Sequence, residues 1–196
     1  MVICVTNRLL CKDNFLNRIE QIARAKPEGI ILREKDLLEY EYEQLAYLCH
    51  EICLQYKTSL IIHTYIEVAK KLGISKIHMP LKTYLKNHEQ LTDFTIKGTS
   101  VHTIEEAIQA QIYGADYIIA GHIFPTDCKK GMPARGLDFL ESVCCAVSIP
   151  VFAIGGIKLE RMIDVYRAKA SGVCIMSYFM ECSDPEKACD SFKVFD

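Results

Sequence analysis

Apolar residues in this chain gather into short runs that recur at regular intervals. Strand-like runs fall at Val2–Thr6, Gly29–Leu32, Ser59–His63, Lys76–Met79, Phe94–Gly98, Tyr117–Ala120, Val151–Ile154 and Val173–Met176. Between them the apolar spacing turns helical, as in Tyr42-Leu45-Ala46-Cys49-Ile52-Cys53, Ile104-Ala107-Ile108-Ile112 and Leu159-Met162-Ile163-Tyr166. Runs that short and that weakly alternating suit parallel strands covered on both faces, and a return through a helix makes neighbouring strands parallel. The repetition predicts an α/β fold, a (β/α)8 TIM barrel formed as a single domain over residues 1–196, with a doubly wound open sheet as the alternative.

Composition narrows the partners. A net charge of -2 offers no basic field for nucleic acid. No apolar run approaches the roughly 20 residues that cross a bilayer, and the stretch Met1-Val2-Ile3-Cys4-Val5-Thr6 lacks a signal peptide's basic region. These features predict a cytoplasmic protein that acts on small molecules, without nucleic acid or membrane. A homodimer would be unsurprising. The ten cysteines are scattered through strands and helices, which predicts reduced thiols, and no second pair stands at zinc-site spacing beside Cys49 and Cys53 or Cys144 and Cys145.

Barrels of this kind place their chemistry at the C-terminal ends of the strands. The residues found there include Arg33-Glu34-Lys35, His63-Thr64, His78-Met79-Pro80, Ser100-Val101-His102, Gly121-His122, Gly155-Gly156 and Met176-Ser177. Gly155-Gly156 opens a helix and Met176-Ser177 ends the last strand, so their backbone N–H groups are candidates for a phosphate. Arg33 and Lys35 alternate around Glu34, and Lys129 and Lys130 lie on the loop after the sixth strand; these are candidate anion ligands. His122 follows Gly121 on that same loop and can take or give a proton near neutral pH. Ser100 or His102 is a candidate cap for the fifth helix, and His50 and His88 read as surface residues.

Three stretches together carry a resemblance: Gly121-His122-Ile123-Phe124-Pro125-Thr126-Asp127-Cys128-Lys129-Lys130-Gly131, Ser100-Val101-His102-Thr103-Ile104-Glu105-Glu106-Ala107, and Ala153-Ile154-Gly155-Gly156-Ile157. With Leu32-Arg33-Glu34-Lys35 they make the chain similar to the thiamine phosphate synthase/TenI superfamily over nearly its whole length. The resemblance implies a (β/α)8 barrel in thiamine biosynthesis that binds a thiazole phosphate near Gly136, Gly156 and Ser177. The substrate-binding set it suggests is Arg33, Lys35, Ser100, Thr126, Lys129, Gly136, Gly156, Met176 and Ser177.

The superfamily has two enzymatic branches. Its synthases join a pyrimidine diphosphate to the thiazole phosphate with Mg²⁺, using an Asn-Asp pair after strand three and an Asp after strand four. This chain has His63-Thr64 and Met79-Pro80-Leu81-Lys82-Thr83 at those places. His122 also stands where the synthases have proline. Those departures resemble the thiazole tautomerase branch, and the resemblance implies that His122 is the catalytic residue of an isomerase needing no cofactor and no metal. Two alternatives stay open: a divergent thiamine phosphate synthase, which would bring Mg²⁺, and a non-catalytic thiazole-phosphate-binding regulatory protein.

Overall fold

In a computed structural model, which describes residues 1–193, the chain alternates strand and helix as its pattern predicts. The strands are β1 (Val2–Val5), β2 (Gly29–Leu32), β3 (Leu60–His63), β4 (Lys76–Pro80), β5 (Ile96–Val101), β6 (Tyr117–Gly121), β7 (Val151–Ile154) and β8 (Gly172–Ile175). The helices are α1 (Phe15–Arg24), α2 (Glu39–Tyr56), α3 (Ile66–Lys71), α4 (Leu81–Asn87), α5 (Ile104–Ile112), α6 (Gly136–Ala146), α7 (Met162–Arg167), α8 (Ser177–Glu181) and α9 (Pro185–Lys193). The strand order is a closed barrel running β1 to β8 in sequence, the eightfold α/β architecture expected. The chain divides into two compact units, Met1–Ile77 with residues 175–193, and His78–Cys174.

In the first unit β1, β2 and β3 pair in parallel, with Val5 opposite Ile31 and Leu32 opposite Ile62. Alternation along β2 puts Leu32 on one face of the sheet and Ile31 on the other. Helix α2 packs on β3 and α1, and its Tyr42, Ala46, Cys49 and Cys53 are buried as their spacing requires. The Tyr42 hydroxyl ties the two layers: it donates to the Leu32 carbonyl at 2.6 Å and accepts from the His63 N–H at 3.0 Å. Arg18 of α1 is buried, yet satisfied. Its guanidinium donates to both Asp13 carboxylate oxygens, at 2.9 and 2.6 Å, and to the carbonyls of Phe179 and Cys182, at 2.9 and 2.8 Å. A buried cation is tolerable only with such a full set of acceptors.

In the second unit β5, β6 and β7 pair in parallel, with Gly98 opposite Tyr117 and Gly121 opposite Ile154. Helices α5, α6 and α7 bury Ala107 and Ala110, Leu140 and Val143, and Met162 and Val165. Three expectations are corrected here. The strand β5 begins at Ile96 and runs on to Val101 where the apolar pattern predicts Phe94–Gly98; Phe94 belongs to the preceding turn, and polar Thr99 and Ser100 remain in the strand because they pair with Ile118 and Ile119. Ile108, Ile112 and Ile163, counted on buried helix faces, point outward. The cap of α5 is Thr103, whose hydroxyl accepts from the Glu106 N–H at 3.1 Å, and neither Ser100 nor His102.

All ten cysteines are free thiols, and no helix among the described residues is long and apolar enough to cross a membrane. His50 is half-buried, with Nδ1 enclosed and lacking a hydrogen-bond partner, which corrects its reading as a surface residue.

Candidate active site

In the second unit the loop after β6 is built by its two ends. The Gly121–His122 peptide is cis. Beyond it, Ile123 N–H donates to the Ile154 carbonyl at 2.9 Å and Phe124 N–H to the Gly155 carbonyl at 3.0 Å, extending the β6–β7 pairing past the strand ends. The returning chain closes on the departing one, with Arg135 N–H donating to His122 O and Gly136 N–H to Ile123 O, each at 3.0 Å. His122 is thereby held in a buried position, 8% exposed, with Nε2 3.4 Å from the Met132 carbonyl. Thr126 and Lys129 sit on the loop's outer excursion, where a short 3-10 turn spans Asp127–Lys129 and Lys129 is exposed.

The paired glycines are explained by this loop. Gly155 and Gly156 both have positive φ, 98° and 64°. A Cβ at Gly156 would lie 2.9 Å from the Phe124 Cβ and overlap the Pro125 carbonyl. Glycine is therefore required for the β7 turn to seat the β6 loop, so its presence is no separate sign of a ligand. Arg161 lies over the Phe124 ring, 5.4 Å from its centroid, and covers the same loop.

Below the loop, Ser100 of β5 is linked to two residues whose partnership only the fold reveals. His78 Nε2 is 2.8 Å from Ser100 Oγ, and His78 Nδ1 is 3.1 Å from the Tyr117 hydroxyl. His78 and Tyr117 are buried; Ser100 is half-buried. The register that sets Tyr117 beside Gly98 is the signal for this cluster, because a Cβ at Gly98 would overlap the phenol ring. His102, exposed, holds the end of β6 through Nδ1, 2.8 Å from the Gly121 carbonyl.

In the first unit, Arg33 and Lys35 follow β2. Between them Glu34 is buried and fully occupied: it accepts from the Thr6 hydroxyl at 2.6 Å and from the Arg8 N–H at 2.9 Å. Thr6 Oγ1 in turn accepts from the Arg33 N–H at 2.9 Å. Arg33 follows Leu32 directly, and the Leu32–Ile62 register sets it beside His63; Lys35 lies in the turn beyond. Burial, and then the charges of Arg33 and Lys35, push the His63 imidazole down to about 3, so it is neutral. Thr64, with φ 76°, places its hydroxyl 2.8 Å from His63 Nδ1. Met176 and Ser177, at the end of β8 and the start of α8, are half-buried in this unit.

Mg²⁺ does not fit these residues. It takes hard oxygen ligands, preferably carboxylates. The end of β3 offers an imidazole and a hydroxyl; Pro80, Leu81, Lys82 and Thr83 follow without a carboxylate. Of the acids after β2, Glu34 is committed as above and Asp36 to the Arg8 guanidinium through two contacts of 2.7 Å. No group of three metal-ligating side chains occurs among the described residues.

In each unit polar side chains stand just beyond the C-terminal ends of strands, where (β/α)8 barrels place their chemistry. The profile described as thiamine monophosphate synthase matches residues 2–179, and the chain belongs to that family. It is 30% identical to the thiamine-phosphate synthase of Clostridium tetani over 194 residues, covering 97% of this chain and 93% of that protein. It is 32% identical to the thiamine-phosphate synthase of Clostridium botulinum strain Hall, covering 97% and 95%. Among solved structures, the thiamine phosphate pyrophosphorylase of Pyrococcus furiosus superposes with a TM-score of 0.84 at 25% identity, covering 99% of this chain and 94% of that one. The expectation of a thiazole tautomerase is overturned: relatives similar along nearly the full length are named as synthases, and the isomerase role of His122 falls with it. His122 itself is buried in a loop pinned at both ends.

Proposed function

We propose that this chain is a thiamine-phosphate synthase, a transferase that joins hydroxymethylpyrimidine diphosphate to thiazole phosphate. The observation that carries the proposal is its full-length similarity to proteins named for that activity, at about 30% identity with both chains covered almost completely. In the reaction, the lone pair of the thiazole nitrogen forms a bond to the exocyclic methylene carbon of the pyrimidine. The bond from that carbon to the diphosphate oxygen breaks, and its electron pair departs with diphosphate. No proton or electron need be supplied.

Arg33 and Lys35 carry the charge suited to the diphosphate, and Glu34 between them is anchored to Thr6 and Arg8. Ser100 supplies a positioned hydroxyl. Thr126, Lys129, Gly136, Gly156, Met176 and Ser177 complete the binding set as candidates from three strand ends. Because the donor set does not suit Mg²⁺, no step is assigned to a metal. The test is direct. Purified chain given both substrates should release diphosphate and thiamine phosphate in equal amounts; no product with or without Mg²⁺ would refute the transferase and leave a binding protein.

A further inference from the structure

We infer that Tyr117 and His78 form a positioning relay that holds the Ser100 hydroxyl as a hydrogen-bond donor to an acceptor atom of the substrate. The inference deepens the synthase reading above and rests on it for the identity of the substrate.

The argument starts at the buried end. Tyr117 lies deep on β6, its ring over Gly98 and edge-on to Phe152 at 5.7 Å between centroids. Its hydroxyl has His78 Nδ1, at 3.1 Å, as its hydrogen-bond partner. A buried O–H left without an acceptor is costly, so the phenol donates and Nδ1 accepts. Burial also holds the phenol well above its ordinary range, which keeps the proton on Tyr117.

A neutral imidazole carries one proton. With Nδ1 accepting, that proton is on Nε2, which donates to Ser100 Oγ at 2.8 Å. The reverse arrangement would have Ser100 donate to Nε2 and Nδ1–H donate to Tyr117, leaving the phenol proton without an acceptor in an apolar enclosure. Direction therefore passes from Tyr117 through His78 to Ser100, and the Ser100 proton is turned away from His78. Each donation also polarises the next group, strengthening the terminal donor. Neither Tyr117 nor His78 need touch the substrate: both are positioning residues, and Gly98 is their condition, because any side chain there would displace the phenol.

The test uses the full-length chain with ¹⁵N-labelled histidine. The relay requires the His78 tautomer protonated at Nε2 and bare at Nδ1; the opposite tautomer in the wild type would overturn it. Kinetics supply the second readout. Ser100→Ala and Tyr117→Phe should each raise the KM of one substrate, Ser100→Ala by about tenfold, as loss of one neutral hydrogen bond implies. The double variant should be no worse than Ser100→Ala alone. Additive losses would show that Tyr117 acts independently of Ser100 and would also overturn the relay. If the wild type forms no thiamine phosphate, the synthase reading fails, and the tautomer measured on the same sample still decides the relay.

Discussion

Gly155 packs against the backbone of His122 so closely that a Cβ on the glycine would stand 2.8 Å from the His122 Cα and overlap the His122 Cβ. The contact joins the β7 turn to the start of the β6 loop. Gly155→Ala must therefore shift one of two backbones, besides placing alanine at φ 98°. The expected loss is roughly 2–4 kcal/mol in urea unfolding. Gly136→Ala is the control: its φ is 81°, but an added Cβ there meets nothing within 4 Å. It should cost only about 1–2 kcal/mol, the left-handed penalty alone.

Arg18 offers a test in the first unit. Arg18→Met keeps most of the apolar stem and removes the donors to Asp13, Phe179 O and Cys182 O. The loss of partners for two carbonyls predicts a destabilisation of about 2–4 kcal/mol. Urea unfolding should show the midpoint lowered, with the C-terminal end of α8 losing amide-exchange protection first.

His63 links stability to pH. Its imidazole is held down at about 3, from an ordinary 6.5, first by burial and then by Arg33 and Lys35. Between those values the unfolded chain binds a proton that the folded chain refuses. The contribution is thus complete above about pH 6.5 and is lost as pH falls toward 3. His63→Gln should flatten this dependence. The wild type is expected to lose roughly 3 kcal/mol more than the variant between pH 7 and pH 4, measured by denaturant titration.

Chelation tests the reading of the strand ends. If the product is formed with His63-Thr64 in place of the family's Asn-Asp pair and no carboxylate among residues 79–83, EDTA should leave the rate of thiamine phosphate formation unchanged. A rate restored only by added Mg²⁺ would mean that ligands come from residues other than these.

The barrel was legible because its strands are short apolar runs bounded by polar turns; β2 and β7 begin and end where the pattern puts them. The strand β5 was less so, since Thr99 and Ser100 look like loop residues until their partners on β6 are known. Helix faces misled where small residues do the packing: Ala107 and Ala110 are buried while the bulkier Ile108 and Ile112 face outward. At the site, the candidate residues at strand ends could be read from position alone. The anchor at Glu34 and the His78–Tyr117 link could not, because each joins residues distant in sequence through strand register. The histidine at 122 drew the sequence toward isomerase chemistry, although full-length similarity points to the synthases.

The two hydrogen bonds that close Arg135 and Gly136 onto His122 and Ile123 make the stretch between them a self-contained excursion. Beyond Phe124 and Pro125, which seat on the β7 turn, changes in the length of the stretch before Arg135 are expected to leave strand register and the start of α6 in place. The two pairs of residues are thus natural splice points: a loop taken from a relative and joined at these four residues is expected to leave the barrel's stability unchanged, as urea unfolding would show.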